Sequence, residues 1–391
     1  MRILFVVDYY QPKLGYGSFF IPRELARLGH KVTIFTSDHF YPFPNYKETT
    51  GKILGPRKVK AGKSLENGVV IIRKVMITEI FTRAVFFGHE NIISKLKPDV
   101  VIVDKTAGYS AIVVSLLRKK YHYKLISVDA HLPSGFKAEG NQLVKEIFYF
   151  IFRLLFTSLI NRTTDKFIAV QEATEDVMRI FYGIKNKIVH IPLGTDLEVN
   201  KKDIKAGRMI RKKYDISKNQ FVVIYTGKII KEKGVDILIK ALDILCKKYN
   251  DIVILLVGDG PSEYRKFCLN KLNKKYHKKV IWAGFQPALE LYQYYSAADI
   301  AVWPLQESMA MNDAASCSLP FIANHTIGAR LRLSNNNALI YKKGDEKDLA
   351  KKIELLYRNP KVRIKMGKQG RELMENKLSW SKIAKEYISV N

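Results

Sequence analysis

Short apolar runs alternate with amphipathic stretches from one end of the chain to the other. The apolar runs predict strands at 3–7, 32–36, 69–73, 100–103, 125–128, 167–170 and 188–191, and then at 221–225, 252–257, 280–282, 300–303, 321–323 and 338–341. The stretches between them have helical periodicity, and they predict helices such as 18–28, 109–121 and 235–249. This alternation is typical of α/β folds with parallel sheets.

A polar, charged stretch at 196–208 separates the two series of strands. A chain of 391 residues is long enough for two domains. We therefore predict a doubly wound, Rossmann-like domain at 1–200 and a second one at 201–375, which face each other across a cleft. A final helical segment follows at 376–391.

Two segments depart from this pattern. Residues 40–68 are rich in Gly, Pro and Lys, and we expect an excursion over the surface that is either a flexible insertion or part of a substrate site. Residues 147–160 are aromatic and apolar, but this stretch is shorter than the ~20 residues that span a membrane. It is either a buried helix of the first domain or a helix at a membrane interface, where Lys145, Arg153 and Arg162 would supply positive charge. Both interpretations hold at once if one face packs on the core and the other on lipid.

The charge balance narrows the class of partner. Lys and Arg number 66 against 37 Asp and Glu, which gives a formal net charge of +29. Such an excess predicts an anionic partner: nucleic acid, nucleotide phosphates or an acidic membrane surface. The basic residues are spread along the chain and match no nucleic-acid-binding motif, so we expect no nucleic-acid partner.

Cysteine usage and the N-terminus bear on the compartment. Cys246, Cys268 and Cys317 form no even framework and lack metal-ligand spacing, which indicates reduced thiols. The apolar run at 3–7 is too short for a signal peptide and is typical of a first strand. These features predict a cytoplasmic protein.

The stretch YTGKIIKEKGVD at 225–236 is the most informative local motif. A buried strand breaks at Gly227, and two cations, Lys228 and Lys233, precede the next helix. Open α/β sheets bind ligands at the carboxyl ends of their strands. A diphosphate needs a glycine that lets the backbone approach, cationic donors and a helix N-terminus. The alternative from this stretch alone is a solvated basic loop.

Further motifs follow in a fixed order. They are QPKLGYG at 11–17, LGHKVT at 28–33, VHIPLGTD at 189–196, LVGDGP at 256–261 and ADIAVWPLQESMAMNDAASCSLP at 298–320. Their order and spacing together resemble the GT-B glycosyltransferases of family four, a retaining group that uses nucleotide sugars. The resemblance spans nearly the whole chain. It implies an acceptor-side first domain, a donor-binding second domain, and a last helix, containing Trp380, that crosses back onto the first domain.

The resemblance assigns roles to residues around the phosphates. Lys228 and Lys233 would neutralise the leaving diphosphate, which gains negative charge as the sugar departs. Gly227 and Gly258 would lie at the donor turns. Gly15 and Gly17 match the glycine loop of the first domain that closes over the phosphates, although Tyr16 interrupts the usual glycine pair. No metal or other cofactor is expected, and the chain contains no Asp-x-Asp pair.

The carboxylate motif differs from the family pattern of two Glu separated by seven residues. Counting back from Pro320, the second position falls on Asp313, while Glu307 is separated from it by only five residues. We infer a loop shortened by two residues, in which Glu307 faces the donor sugar and Asp313 reaches the ribose. The alternative for Glu307 is a plain surface carboxylate. Backbone amides of Ser308, Met309 and Ala310 would face the sugar and phosphate at a helix start.

Three side chains complete the expected site. His131 follows a first-domain strand and matches the residue that contacts the donor sugar and orients it; its alternative is a structural histidine beside a proline turn. Phe285 and Gln286 match the region that holds the nucleotide base, with core packing an equal alternative for Phe285.

The resulting hypothesis is a metal-independent, retaining glycosyltransferase that moves a sugar from a nucleotide-diphosphate sugar to an acceptor hydroxyl. The acceptor would be a glycan or a lipid-linked molecule, and the enzyme would lie at the inner face of the cytoplasmic membrane through contact with anionic lipid. Alternatives are a nucleotide-sugar epimerase of the same fold and a degenerate, non-catalytic nucleotide-binding protein. A nicotinamide dehydrogenase is disfavoured, because no Gly-x-Gly-x-x-Gly follows a strand.

Overall fold

The buried apolar runs form two parallel sheets, each in its own unit of the chain. The structure is a computed structural model that describes residues 1–12, 14–43, 46–48, 50–133, 142–306, 308–324 and 331–389. Unit 1 consists of Met1–Leu193 with Trp380–Asn391, and unit 2 of Gly194–Ser379.

The described part of unit 1 contains ten strands. They are β1 (Arg2–Val7), β2 (Lys31–Ser37), β3 (Gly62–Glu66), β4 (Val69–Lys74), β5 (Met76–Ile80), β6 (Arg83–Phe86), β7 (Val100–Asp104), β8 (Lys124–Asp129), β9 (Lys166–Ala169) and β10 (Ile188–His190). Eight of them form a sheet in the order β10-β9-β8-β7-β1-β2-β4-β3, parallel except for β3, while β5 and β6 form an antiparallel pair. The strand order reverses at β1, which lies between β7 and β2. An open α/β sheet binds its ligands at such a switch point.

The helices of unit 1 fill the crossovers and cover the sheet. They are α1 (Gly17–Arg27), α2 (Gly51–Leu54), α3 (His89–Leu96), α4 (Tyr109–Tyr121), α5 (Gln142–Leu155), α6 (Thr157–Thr163), α7 (Glu172–Ile180) and the C-terminal helix, which is numbered last below. One apolar core packs the sheet against α3 and α4 through Leu4, Val6, Phe35, Val101 and Val114, all with at most 1% exposure.

Unit 2 contains a six-stranded, fully parallel sheet. Its strands are β11 (Phe221–Thr226), β12 (Ile252–Val257), β13 (Val280–Gly284), β14 (Ile300–Trp303), β15 (Phe321–Asn324) and β16 (Ala338–Tyr341). The order β13-β12-β11-β14-β15-β16 reverses between β11 and β14. This is the strand order of a Rossmann sheet, and its switch point lies at the ends of β11 and β14.

The helices of unit 2 follow its strands in turn. They are α8 (Ile204–Lys213), α9 (Val235–Cys246), α10 (Ser262–Leu269), α11 (Leu291–Ala297), α12 (Ala310–Ser316), α13 (Glu346–Arg358) and α14 (Pro360–Leu373). The last helix, α15 (Trp380–Ile388), packs on α1 in unit 1. Trp380 stacks on Phe20 with ring centroids 5.2 Å apart.

The unit boundary lies at Leu193/Gly194, seven residues before the boundary placed at 200/201 from composition. Hydrogen bonds explain the difference. Thr195 and Asn200 donate to Asp313, and the Arg371 side chain donates to the carbonyl of Asn200. The charged linker therefore belongs to unit 2. The second change of unit comes at Trp380, four residues after the predicted start at 376.

The described part of the segment 40–68 contains regular structure. It includes the short helix α2 and strand β3, and β3 pairs with β4 from Glu66–Val69 back to Gly62–Arg73. Strand β3 is almost entirely exposed, so it carries no apolar run that sequence patterning could detect.

Helix α5 has both of the faces that were considered for 147–160. Tyr149 and Phe152 are buried in a core with Phe167 and Tyr182, while Phe150 and Leu154 are exposed. Lys145 is itself buried, so it is not one of the surface charges that we expected. Among the described residues, no helix is both long enough and apolar enough to cross a bilayer.

Candidate functional site

Four loops of unit 2 meet at the carboxyl edge of its sheet. They follow β11, β12, β13 and β14, and all these strands are parallel neighbours. The predicted donor residues of unit 2 are distributed over these loops and the first turns of α12. The switch point between β11 and β14 brings the glycine turn beside the loop that leads to α12.

The turns after β11 and β12 are joined by backbone contacts that leave room only for glycine. The amide of Gly227 donates to Val257, and that of Ile229 donates to Asp259, at 3.0 and 2.8 Å. A Cβ atom on Gly258 would lie 1.8 Å from the carbonyl oxygen of Gly227, and one on Gly260 would lie 1.8 Å from that of Ile229. Gly227 and Gly258 were predicted at the donor turns. Gly260 lies in the same LVGDGP motif as Gly258, and it likewise lets the backbones of the two turns approach each other.

The two predicted phosphate cations lie in the loop between β11 and α9. Lys228 is exposed, and its carbonyl accepts the Tyr225 hydroxyl at 2.7 Å. Lys233 ends a short 3₁₀ turn, Lys231–Lys233, and is half-buried. Gly234 follows with φ +71°, and a Cβ there would lie 2.5 Å from Cγ of Leu305. The loop is therefore pressed against the segment after β14.

That segment is held by hydrogen bonds from β15. The side-chain amide of Asn324 donates to the carbonyls of Pro304 and Leu305, at 2.6 and 2.7 Å. The Tyr341 hydroxyl also donates to Pro304. Glu307 lies outside the described residues, so its predicted role at the donor sugar stays a prediction.

At the start of α12, the amide of Ala310 that was predicted to face the ligand already makes a hydrogen bond. Helix α12 begins at Ala310, one residue after Met309, and the amide of Ala310 donates to the Ser308 hydroxyl at 3.3 Å. The carbonyl of Ser308 accepts the amide of Met311. A ligand that uses the Ala310 amide would have to compete with the Ser308 hydroxyl. The binding roles of these residues stay predictions.

Asp313 is half-buried and already accepts two hydrogen bonds. Its Oδ1 accepts from Oγ1 of Thr195 at 2.7 Å and from Nδ2 of Asn200 at 2.8 Å. Burial raises the pKa of Asp313 to about 6; the Thr195 hydrogen bond opposes this rise, and the charge of Asp196 adds to it. These hydrogen bonds tie Asp313 to Thr195 and Asn200, which are among the first residues of unit 2. Its predicted contact with a ribose would use the same carboxylate.

Phe285 and Gln286 follow β13. Phe285 is 38% exposed, so it is not a core residue, and this leaves its ring accessible for stacking. The side-chain amide of Gln286 donates to the carbonyl of Ala283 at 2.9 Å. Their role at a nucleotide base stays a prediction.

Unit 1 has its own cavity, of about 370 Å³, at the switch point of its sheet. Aromatic side chains that contact one another form one wall. They are Tyr9, Tyr16, Tyr41 and Phe43. Asp104, Lys105 and His131 supply the charged or polar groups, and Tyr387 of α15 also lines the cavity.

Three carboxylates stand at the ends of three neighbouring strands beside this cavity. Asp8, Asp104 and Asp129 come at the ends of β1, β7 and β8. Asp8 pairs with Lys105 at 3.5 Å, and burial raises the pKa of Asp8. Burial also raises the pKa of Asp104 to about 6, although Lys105 opposes the shift. Within the described part of the chain, the Asp104 carboxylate has no hydrogen bond or ion pair.

His131 is held by the third of these carboxylates. Its backbone amide and its Nδ1 both contact Oδ1 of Asp129, at 2.9 and 2.7 Å. Asp129 is fully buried, which favours its neutral form, but the charge of His131 and its two hydrogen bonds lower the pKa of Asp129. Nδ1 thus donates to an ionised carboxylate, which sets the tautomer and the ring orientation. The side chain of His131 is 25% exposed and lines the cavity.

The glycine loop of unit 1 also borders the cavity. Gly15 has φ +82°, a conformation that favours glycine. Gly17 starts α1, and a Cβ there would lie 3.3 Å from Cδ1 of Ile21. Gly17 lines the cavity, so a ligand in the cavity could come close to the backbone of this loop.

The sequence analysis predicted His131, Gly15 and Gly17 but not Asp104 or Lys105. A signal was present, because parallel strands end at one edge and each of three strands ends in Asp. We missed this signal because Asp8, Asp104 and Asp129 lie far apart along the chain and form no motif with a fixed spacing.

Both halves of the chain match glycosyltransferase families. Residues 21–199 match the model of Glycosyltransferase Family 4, and residues 208–373 match that of Glycosyl transferases group 1. The capsular polysaccharide biosynthesis glycosyltransferase CapM of Staphylococcus aureus is 25% identical over 256 residues, which cover 64% of this chain and 67% of CapM.

Two further proteins extend the comparison. A GDP-mannose-dependent phosphatidylinositol monomannoside mannosyltransferase of Mycolicibacterium smegmatis is 25% identical, over 51% of this chain and 54% of its own. This chain spans about half the length of several such curated relatives. The crystal structure of HepE from Anabaena in complex with UDP superposes with a TM-score of 0.68 at 14% identity, over 99% of this chain and 98% of HepE. The chain belongs to the glycosyltransferases of family four and group 1, which have the GT-B fold.

Proposed function

We propose that this protein transfers a sugar, with retention of configuration, from a nucleoside-diphosphate sugar to an acceptor hydroxyl. The turn after β11 carries this proposal. It places Gly227, Lys228 and Lys233 at the switch point of unit 2, against a second glycine turn that admits no side chain.

The chemistry of the donor fits this turn. Glycosyl transfer develops negative charge on the departing diphosphate, and preorganised cations stabilise that charge most where water is excluded. Lys228 and Lys233 are the two cations of the turn to which we assign this role; the turn also contains exposed Lys231. We propose that they replace a metal ion, so that transfer continues in the presence of EDTA.

The unit 1 cavity suits an acceptor with hydroxyl groups. Aromatic faces pack on the apolar faces of sugar rings, and a carboxylate accepts hydrogen bonds from hydroxyls. Asp104 offers such a carboxylate, and Tyr41 and Phe43 offer the aromatic wall. His131, fixed by Asp129, would orient the reacting sugar.

The source of the acceptor is proposed from the relatives. CapM is named for capsular polysaccharide and the mycobacterial enzyme for a phosphatidylinositol mannoside. Both names support a glycan built at a membrane surface, either lipid-linked or growing. We place the enzyme at the inner face of the cytoplasmic membrane, in peripheral contact with anionic lipid.

An epimerase of the same fold is the second candidate, but both of these relatives are transferases. An epimerase would convert the free nucleotide sugar without any acceptor. A degenerate, non-catalytic homologue would bind the nucleotide and leave the sugar bond intact.

A thermal-shift panel tests the donor site. UDP, GDP, ADP and their glucose or mannose conjugates are added to the wild type, to Lys233→Ala and to the matched control Lys231→Ala, which changes an exposed lysine of the same turn. A nucleotide that binds the folded protein raises Tm by mass action. At a nucleotide concentration of 100 times Kd, the free energy of unfolding rises by about 2.7 kcal/mol. We expect one base to stabilise the wild type and the control but not Lys233→Ala. Stabilisation of all three proteins alike would refute the role of Lys233.

Retention is tested on the product. With the donor identified, proton NMR of the new linkage gives its anomeric configuration, which retention requires to equal that of the donor. An inverted product would refute this part of the proposal and leave donor binding unaffected.

A further inference from the structure

Helix α5 leaves a continuous apolar stripe uncovered on unit 1. Five large side chains along one side of the helix are between 46% and 72% exposed. They are Ile147, Phe150, Ile151, Leu154 and Leu155. Their spacing of three or four residues puts them on one helical face. A contiguous apolar surface of this kind marks an interaction site.

The stripe cannot turn inward, because the opposite face of α5 is already buried. Tyr149 and Phe152 lie in a core with Phe167 and Tyr182, and Tyr149 packs against Tyr182 with ring centroids 5.6 Å apart. A rotation of α5 that hid Leu154 would expose these rings. The stripe therefore belongs to the folded surface of unit 1.

Neighbouring contacts enlarge the apolar surface and give it a basic rim. The guanidinium of Arg153 donates to the carbonyls of Ile180 and Phe181, which holds Ile180, 66% exposed, beside the helix. The exposed side continues from α5 into α6, where Ser158 and Arg162 are exposed three and seven residues after Leu155.

The rest of the rim comes from the loop after α7. Asn161 of α6 donates to the carbonyl of Gly183 and accepts the amide of Lys185, at 3.2 and 3.1 Å. Asn186, which stands between exposed Lys185 and Lys187, donates to the carbonyl of Asn161 at 2.8 Å and so holds this loop beside α6. Glu146 is the acidic residue on α5, and it accepts a hydrogen bond from Gln142.

We propose that this surface, the apolar side of α5 with Ile180 and the rim of Arg162, Lys185 and Lys187, docks the protein on an anionic lipid bilayer. An amphipathic helix of 14 residues lies along a membrane interface, with apolar side chains among the acyl chains and cations at the headgroups. This docking rests on the membrane location proposed above, but none of the residues of the surface lines the unit 1 cavity, and docking needs neither donor nor acceptor.

Charge favours a bilayer over a second copy of the chain. Two copies that meet through the same face would bring two basic rims together on proteins of net charge +29 each. Anionic lipid instead neutralises the rim. The same charge predicts that salt weakens docking, because surface electrostatics are screened over about 10 Å at 0.1 M.

Vesicle co-sedimentation tests the apolar stripe. The full chain is mixed with vesicles of phosphatidylcholine containing 30% phosphatidylglycerol, as the wild type, as Phe150→Ser/Leu154→Ser, and as the control Ile364→Ser, which changes a 74% exposed residue of α14. The double variant should bind at least tenfold more weakly, and the control should bind as the wild type. Equal binding by all three overturns the proposal. Unchanged circular dichroism and Tm establish that the variants are folded.

The basic rim is tested separately. Each removed charge should weaken binding about fivefold, so Arg162→Gln/Lys185→Gln/Lys187→Gln should lose roughly a hundredfold. The control Lys63→Gln/Lys95→Gln changes exposed lysines elsewhere on unit 1 and should bind as the wild type. Binding that is the same with pure phosphatidylcholine vesicles would refute the lipid charge preference.

Insertion and self-association give the last two measurements. Phe150→Trp should show blue-shifted emission with vesicles and quenching by bromine-labelled acyl chains. Analytical ultracentrifugation without lipid should show a monomer. A dimer that Phe150→Ser/Leu154→Ser dissociates would overturn the proposal in favour of a subunit interface. Failure of docking would leave the donor-binding result intact.

Discussion

At the scale of single residues, the three carboxylates beside the unit 1 cavity have different contacts and therefore different roles. Asp129 is ionised and holds His131, Asp8 is paired with Lys105, and Asp104 makes no hydrogen bond or ion pair within the described residues. Asp104 is therefore the carboxylate available to a substrate. Since the cavity also offers aromatic walls, we expect that carboxylate to select acceptor hydroxyls.

Asp104→Asn should slow transfer without changing donor binding. A charge-assisted hydrogen bond to a hydroxyl contributes about 1.5–3 kcal/mol, so kcat/KM for the acceptor should fall about 10- to 100-fold. The thermal shift given by the nucleotide should stay as in the wild type. Asp176→Asn, an exposed aspartate of α7, is the control. A loss of the nucleotide shift in Asp104→Asn would place this residue at the donor instead.

Asp313 gives a prediction about pH. Its pKa is raised from 3.8 to about 6 by burial, so the folded state disfavours its ionised form. The free energy of unfolding contributed by this group therefore falls as pH rises from about 4 to about 6, and it stays low above that. Asn cannot ionise and keeps an oxygen that accepts from Thr195 and Asn200.

We therefore expect Asp313→Asn to have nearly the Tm of the wild type at pH 3.5, below the unfolded pKa of 3.8, and a Tm about 2–4 °C higher at pH 8. Scanning calorimetry at the two pH values measures this difference. If Asp313→Asn lowered Tm at both pH values, the hydrogen bonds of the ionised carboxylate would stabilise the fold by more than its burial destabilises it.

Residue types alone could not predict this environment. The sequence identified Asp313 from its distance to Pro320, but its hydrogen bonds to Thr195 and Asn200 join residues more than 100 positions apart. Such contacts have no local signature. His131 was identifiable because it closely follows a strand, and its supporting carboxylate, Asp129, is the last residue of that strand.

At the scale of elements, the donor turns are set by the close approach of two loops. The sequence predicted β11, β12 and their glycines, because each apolar run ends at a Gly. It could not show that the two turns touch. Contact follows from the parallel pairing of β11 and β12, which brings Gly258 against the Gly227 carbonyl.

Gly258→Ala should disrupt this arrangement far more than a glycine change elsewhere. Gly344 has φ +80° and open space for a Cβ, so Gly344→Ala should cost about 1–2 kcal/mol of backbone strain. Gly258 has φ +148° and a Cβ that would lie 1.8 Å from a backbone oxygen, so Gly258→Ala should cost more than about 4 kcal/mol. Denaturant unfolding measures both. Similar costs for the two variants would mean that the turns can separate freely.

Sequence patterning missed three short strands of unit 1. Strand β3 is exposed along nearly its whole length, whereas β5 and β6 form a small antiparallel pair outside the main sheet, and β6 is buried but only four residues long. Helix α5 was ambiguous for a different reason. The stretch 147–160 has one charged side chain, Arg153, and apolar residues lie on both its buried and its exposed face, so periodicity could not separate the two faces.

At the scale of the whole molecule, the chain leaves unit 1 at Gly194 and rejoins it at Trp380. Helix α15 completes the core of unit 1 with Trp380, Ile383 and Tyr387, each at most 3% exposed. Lys166 in β9 donates to the carbonyl of Glu386 at 2.7 Å. The stability of unit 1 thus depends on residues that are synthesised after all of unit 2.

Two variants seven residues apart should therefore loosen different units. Trp380→Ala removes the ring that stacks on Phe20 and should cost unit 1 about 3–5 kcal/mol, while Leu373→Ala removes a buried side chain of α14 and should cost unit 2 about 2–5 kcal/mol. Hydrogen exchange followed by mass spectrometry reads each unit separately. Faster exchange in β1 and α1 is expected for Trp380→Ala, and in β15 and α12 for Leu373→Ala.

The nucleotide adds a second, independent comparison. A donor that binds unit 2 should slow exchange in the loops after β11 and β12 of Trp380→Ala as it does in the wild type, because mass action stabilises the unit that holds the ligand. If Trp380→Ala abolished this protection, donor binding would require an intact unit 1. The donor site could then no longer be assigned to the turns of unit 2 alone.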